Sequence, residues 1–365
     1  MKKVLIVTTL KRTIEGFLIP HIKLLEELGY QVDLACNMEG ESPIKELHKN
    51  RWYHFNFTRN PFSISNLKST SKLRGLIKKQ NYHMMHLHTP IASFLGRLAA
   101  STLKMKNIIY TAHGFHFYKG APLVNWMVYY PAEWLAMRWT DKIITINQED
   151  YERAHRMAGK RTKVYKIDGV GLDLTRYSQG KREKVREELK LSKEDFLVTI
   201  IGELNKNKNQ IQLIKAIEIL DNRFKALIVG KGGKERELKE YVKTNKLENR
   251  VIFLGHRDDI GDIIAASDLL TSMSHREGLP RSIMEGMAQG KPFIVTNIRG
   301  NRDIIKDGIN GFLTDVNRHD LTAQSIKKLE DQKVLNTIKI INLRAVEKYS
   351  IDRILQKIKF LYLGR

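Results

Sequence analysis

Short β-branched apolar runs alternate with amphipathic helical stretches through most of the chain, and the alternation occurs twice. In the first series Lys3–Thr9, Gln31–Cys36, Met84–Leu87, Asn107–Ala112, Lys142–Ile146 and Lys163–Ile167 read as strands. Helical patterns over Phe17–Leu28, Ile91–Leu103 and Gln148–Met157 lie between them. The second series restarts at Phe196–Gly202 and continues through Lys225–Val229, Val251–Leu254, Leu269–Ser272, Pro292–Thr296 and Gly311–Thr314. From Leu321 the pattern is wholly helical, in three segments to Leu363. Strands that are apolar throughout and separated by helices belong to parallel sheets covered on both faces. The pattern thus predicts an α/β fold of two doubly wound, Rossmann-like domains facing a cleft, joined near Gly169–Gln179. Ligands of open parallel sheets bind beyond the carboxyl ends of the strands. Functional residues are therefore expected in strand-to-helix loops.

Composition narrows the class. The length of 365 residues suits two domains, and 42% hydrophobic residues exclude disorder. Cys36, the single cysteine, allows no internal disulfide and no cysteine zinc site, and its apolar strand marks it as a core residue. Sixty-three Lys and Arg against 40 Asp and Glu give a net charge of +23, split as +12 over residues 1–175 and +11 over the remainder. That excess fits an anionic substrate, an anionic membrane surface or a nucleic acid. No aromatic–basic interleaving, helix-turn-helix or zinc module supports a nucleic-acid partner. No apolar run reaches the roughly 18–20 residues of a membrane helix, and Met1–Leu10 reads as a buried first strand. A cytoplasmic protein, free or peripheral on the membrane, is expected.

Three loops of the second series could carry chemistry. In Ser274–Ser282, Glu277 precedes a helix and Glu285 lies about one turn inside it, so both carboxylates could take the vicinal hydroxyls of a sugar. Capping by Glu277 and an i,i+4 pair between Arg281 and Glu285 is the structural alternative. Ile201–Gln210 places Glu203, Lys206 and Lys208 at a helix start, suited to a diphosphate or simply to a solvated turn. Val229–Lys234 is glycine-rich around Gly230, yet has neither the G-x-G-x-x-G nor the P-loop spacing.

The first series concentrates histidine and aromatic residues. His86 and His88 end one strand, and His113, Phe115 and Phe117 follow another. His86 and His88 share a strand face that also suits a metal, but no nearby acid or cysteine completes a ligand set, and no D-x-D occurs. Neither metal nor cofactor is expected. Phe115–Trp139 is dense in aromatics, including Trp126, which suits a core or a sugar or lipid site. Leu67–Gln80 reads as a basic amphipathic helix, a candidate for contact with anionic lipid.

Together these residues resemble family 4 of the retaining glycosyltransferases, of GT-B fold, over nearly the whole chain. Glu277-Gly278-Leu279-Pro280 with Glu285-Gly286-Met287-Ala288 is similar to the family's E-x7-E signature. Asn297–Asp303 and Asp307–Leu313 resemble its last loops. His86–Pro90, Thr111–Phe117, Thr145–Asp150 and Gly169–Asp173 resemble a subgroup that builds bacterial exopolysaccharide and capsule.

The resemblance implies an amino-terminal acceptor domain over 1–172, completed by a helix over 350–365, and a nucleotide-sugar domain over 173–349. It implies a nucleotide-sugar donor, UDP-linked in that subgroup, and a lipid-diphosphate-linked or saccharide acceptor. Glu285 would hold the ribose, Glu277 the transferred sugar, and Lys208 the phosphates. Gly278 and Leu279, before Pro280, would offer backbone N–H groups, and Gly16 and Gly230 would line the donor. Glu203 stands where the family has an arginine, leaving Lys206 or Arg281 to substitute. His113 matches the histidine near the reacting sugar, with His88, Phe115 and Trp126 toward the acceptor. A sugar-nucleotide epimerase or phosphorylase on the same fold is the alternative.

Overall fold

The computed structural model describes residues 1–58 and 60–364. The chain divides into two compact units, Met1–Gly171 together with the chain from Ile351 onward, and Leu172–Ser350.

The first unit holds a seven-stranded sheet of β1 (Lys3–Leu10), β2 (Gln31–Asn37), β3 (Arg51–His54), β4 (Met84–His88), β5 (Ile108–Ala112), β6 (Lys142–Thr145) and β7 (Lys163–Lys166). Their order is β3-β2-β1-β4-β5-β6-β7, and every pairing is parallel. Central strands β1, β4 and β5 are buried along nearly their whole length. This is why they read as unbroken apolar runs. β3 carries no such signal: the polar edge sequence Arg-Trp-Tyr-His has no apolar run, and only its neighbour β2 holds it extended.

The second unit repeats the plan with β8 (Phe196–Ile201), β9 (Phe224–Val229), β10 (Val251–Gly255), β11 (Leu269–Ser272), β12 (Phe293–Thr296) and β13 (Phe312–Thr314), ordered β10-β9-β8-β11-β12-β13. All of these pairs are also parallel. Both sheets are Rossmann-like: the chain works outward from the first strand in one direction, then crosses back and continues in the other.

Two helices of the first unit extend the expectations from sequence. The basic helix begins three residues earlier than expected, at Ile64, and runs to Gln80; Leu73 and Ile77 are buried in the core. Much of the aromatic stretch forms a helix, Leu123–Met137, with Pro131 inside it. The last helix spans Ile351–Leu363. Arg365, the end of the helix expected over 350–365, lies outside the described residues.

Candidate functional site

In the second unit the order of strands reverses between β8 and β11, so the loops after these two adjacent strands leave the sheet on opposite sides. A crevice opens at such a reversal. Lys208 comes from the first loop and Glu277 from the second. The Lys208 ammonium donates to Glu277 Oε1 at 2.6 Å, and the Ser274 hydroxyl donates to the same oxygen at 2.6 Å. Lys208 is 27% and Glu277 12% exposed, so solvent screens their attraction only in part. Two hydrogen bonds lock the two loops together: His275 N–H donates to Asn207 O at 2.8 Å, and Asn207 Nδ2 to Arg276 O at 3.0 Å.

The loop Asn297–Asp303 supports Glu277 from behind. Arg299 Nε donates to the Glu277 carbonyl at 3.2 Å. Gly300 has φ +82°, and a Cβ there would lie 2.6 Å from the Gly278 oxygen. Only glycine allows both the dihedral and the approach. Gly230 is explained in the same way, since its Cβ would sit 2.0 Å from Gly202 O. Its missing side chain therefore serves backbone packing between the loops after β8 and β9.

Glu285 lies on the short helix Arg281–Met287, for which Pro280 is the N-cap residue. Neighbouring Gly286 lets this helix settle onto the sheet, where a Cβ would meet Leu270 at 2.2 Å and Phe293 at 2.5 Å. Burial pushes the Glu285 carboxyl above its ordinary range, against the opposing pull of Arg281 and of a hydrogen bond with Tyr177. The Arg281 guanidinium stands 3.7 Å away, so the i,i+4 pairing is present. Tyr177 is an addition of the structure; it lies at the junction after the first series, and no spacing in the sequence ties it to Glu285. Glu203 is exposed and offers its carbonyl to Gln210 Nε2 at 3.0 Å, while Lys206 is also exposed.

The first unit has the equivalent reversal between β1 and β4. There the Thr89 hydroxyl accepts from Thr9 N–H at 3.0 Å and lies 2.7 Å from the Thr9 hydroxyl. Thr89 adopts φ +66°, ψ 143°, a strained conformation for a residue with a Cβ, just before Pro90. Thr89 lies within the His86–Pro90 motif, but its strained conformation could not be read from the sequence.

Beside it, His88 Nδ1 and His113 Nε2 share a hydrogen bond of 3.0 Å, and Phe17 packs on the His113 ring at 4.9 Å. His86 is held between the Tyr362 hydroxyl at 2.9 Å and the Thr111 hydroxyl at 2.8 Å. Burial holds His113 down at about 3, with His21 adding to it, and keeps His86 and His88 well below the ordinary imidazole range. These rings are neutral at physiological pH.

Gly16 sits in a turn of π-helix, Ile14–Leu18, rather than in an open loop, and a Cβ there would meet nothing within 4 Å. Packing does not demand this glycine. Two of the aromatic residues expected toward the acceptor pack against other side chains of this unit. Phe115 is 2% exposed and stacks on Phe117 in the core, so it supports its loop from beneath. Trp126 packs on Phe117, Tyr130 and the Arg153 guanidinium, in a cluster separate from the histidine contacts. Among the described residues no group of three or more His, Cys, Asp or Glu is placed to hold a metal ion.

Two Rossmann-like units with polar side chains gathered at each strand-order reversal define the GT-B class of fold. Residues 181–345 match the family described as glycosyl transferases group 1, and residues 3–147 match glycosyl transferase 4-like. The chain is 35% identical to the glycosyltransferase EpsD of Bacillus subtilis (strain 168), over 90% of this chain and 87% of that one. It is 30% identical to the UDP-Gal:alpha-D-GlcNAc-diphosphoundecaprenol alpha-1,3-galactosyltransferase of Escherichia coli, over 93% and 91%. Among solved structures, HepE of Anabaena in complex with UDP matches with a TM-score of 0.82 and 25% identity over 100% of both chains. The chain belongs to the group 1, family 4-like glycosyltransferases.

Proposed function

We propose that the protein is a retaining, metal-independent glycosyltransferase that moves a sugar from a UDP-sugar to a lipid-diphosphate-linked saccharide during bacterial exopolysaccharide or capsule synthesis. The observation that carries this is the Lys208–Glu277–Ser274 assembly at the reversal point of the second sheet. UDP in the HepE structure and the diphosphoundecaprenol substrate in the name of the Escherichia coli relative support the donor and acceptor classes.

Lys208 stabilises the charge that develops on the departing diphosphate, with Arg281 as the second cation in place of the arginine absent at Glu203. Glu277 binds hydroxyls of the transferred sugar, and Glu285 those of the ribose. Gly278 and Leu279 contribute backbone N–H groups. A fixed positive charge aimed at a leaving oxyanion is an efficient way to lower such a barrier. The bond from the anomeric carbon to the diphosphate breaks. The acceptor oxygen bonds to the same carbon from the same face, and its proton passes to the departing phosphate oxygen. His113, neutral and with a basicity near 3, is a poor proton acceptor. It orients the acceptor hydroxyl instead, positioned by His88.

The acceptor places the protein at the inner membrane surface. In this reading contact is peripheral and begins with the basic helix Ile64–Gln80; no helix among the described residues is long and apolar enough to cross a membrane.

Thermal unfolding with UDP, GDP, ADP and dTDP, each with and without magnesium, tests the donor. UDP should raise the melting temperature most, by linkage, with little change on adding magnesium. Glu285→Gln should weaken UDP binding about tenfold, equivalent to about 1.4 kcal/mol. A shift equal for all four nucleotides, or one that depends on magnesium, would sink the assignment. Mass spectrometry of the products separates transfer from epimerisation or phosphorolysis.

A further inference from the structure

Three segments of the first unit surround an apolar groove that this chemistry leaves unused. Phe62 and Leu67 form one wall, Phe94 and Leu98 a second, and Val128 and Ala132 a third, around a volume of about 300 Å³. The surrounding surface is apolar as well. Phe62 is 79%, Ile64 72%, Leu123 80% and Met127 75% exposed. On the helix Leu123–Met137, exposed Val124, Met127, Pro131 and Trp134 recur at helical spacing, forming one outward stripe. Arg138 closes that stripe, its guanidinium 3.6 Å from the centre of the Trp134 ring. Aromatic and basic side chains at the edge of an apolar patch suit the boundary between water and hydrocarbon. Scattered apolar residues on a surface need no explanation, but a contiguous patch around a groove does.

Charge selects the occupant. Exposed Lys68 follows Leu67 of the groove wall, exposed Arg138 ends the aromatic stripe, and between Glu46 and Glu133 the sequence has no Asp or Glu. The one carboxylate in the groove wall, Glu133, is neutralised by Arg97 Nη2 at 2.9 and 3.0 Å. A second copy of this chain would bring like charge against like. An anionic leaflet supplies the opposite charge and the hydrocarbon together.

We propose that this face docks the protein on an anionic lipid bilayer, with Phe62, Ile64, Leu123 and Met127 entering the boundary between headgroups and acyl chains and the groove accepting one hydrocarbon chain. The proposal rests on the lipid-linked acceptor of the proposed reaction. It moves the membrane contact from the length of the basic helix to that helix's amino end and the neighbouring aromatic helix. The apolar positions farther along the basic helix, Leu73 and Ile77, are already spent in the core.

The test is co-sedimentation of the full chain with vesicles of phosphatidylglycerol and phosphatidylethanolamine, against vesicles of phosphatidylcholine alone. Acyl chains brominated near the headgroup report insertion by quenching tryptophan. The wild type should pellet with the anionic vesicles and be quenched, and Trp134→Phe should lose most of that quenching. Combined Phe62→Ser, Ile64→Ser and Met127→Ser should cut binding at least tenfold, with the melting temperature and the UDP-induced shift unchanged. Lys68→Glu with Arg138→Glu should weaken binding and flatten its salt dependence. Vesicle binding undiminished in the triple variant, or absent in the wild type, overturns the proposal. So does a concentration-dependent dimer that the triple variant abolishes. Loss of the UDP shift in the wild type would overturn the donor assignment and leave the vesicle result standing, so the two failures are distinct.

Discussion

The two units run the same strand order outward from their first strand and reverse it at the same place, yet they furnish that place with opposite chemistry. Beyond β8 and β11 stand Lys208, Glu277 and, nearby, Glu285 with Arg281. At the ends of β1, β4 and β5 stand hydroxyls and imidazoles, the imidazoles kept uncharged by burial, with Lys11 just after β1 already paired to Glu41 at 2.6 Å. Even the supporting device is shared. Gly286 in the helix after β11 leaves no room for a Cβ against Leu270, and Gly96 in the helix after β4 leaves none against Leu87. The topology thus determines where a ligand meets each sheet, and side chains at the strand ends decide which ligand. A charged end suits a diphosphate; a neutral, hydrogen-bonding end suits a saccharide hydroxyl that must not be ionised or repelled.

The most deeply buried ion pair of the first unit lies away from the strand ends. Arg97 and Glu133, with side chains 0% and 7% exposed, tie the helix Pro90–Ser101 to the helix Leu123–Met137. Removing one partner strands a buried charge, so Glu133→Ala should destabilise by about 3–5 kcal/mol. Chemical denaturation measures this. UDP binding, read by isothermal titration well below the variant's lowered melting temperature, should keep its affinity. A variant that lost nucleotide affinity with its stability would break the division between units.

Next in size, Lys208→Ala should lower kcat for sugar transfer about 10²–10³-fold, with the fold intact by circular dichroism. His113→Ala should instead raise the KM for acceptor more than that for donor. If both variants affected donor and acceptor parameters alike, the two strand-end chemistries would not correspond to two substrates.

The last contrast is in pH. His21, His86, His88 and His113 all have folded-state values below the ordinary imidazole value of 6.5, chiefly through burial. The unfolded chain therefore takes up protons that the folded chain refuses as pH falls below 6.5. The stability these groups contribute is present above that pH and is lost on acidification toward the folded values. Each contributes a slope approaching about 1.4 kcal/mol per pH unit. Hydrogen exchange between pH 6.5 and 4.5 should show protection falling sooner in the first unit. Glu285 runs the other way: its raised carboxyl favours the folded state at low pH and costs stability as pH rises through its folded value. Equal loss of protection in both units would contradict the neutral-histidine description.

Some of this architecture was legible because it depends on local pattern. The central strands β4, β5, β8 and β11 are buried on both faces, so their sequences had to be apolar runs. The loops carrying Lys208, Glu277 and His113 followed at once from where such runs stop. β3 escaped because an edge strand is held by its neighbour and not by its own composition.

The sequence by itself determined two parallel sheets, the loops that carry the chemistry, the family and the excess of basic residues. Tertiary structure decided what depends on distant groups meeting. Tyr177 reaches Glu285, Tyr362 reaches His86 across 276 positions, and Thr9 holds a strained Thr89. It also decided that Phe115 is core and Trp126 lies apart from His113, since aromatic side chains carry the same apolar signal inside and out. Periodicity records which face of an element is buried; it does not record what buries it.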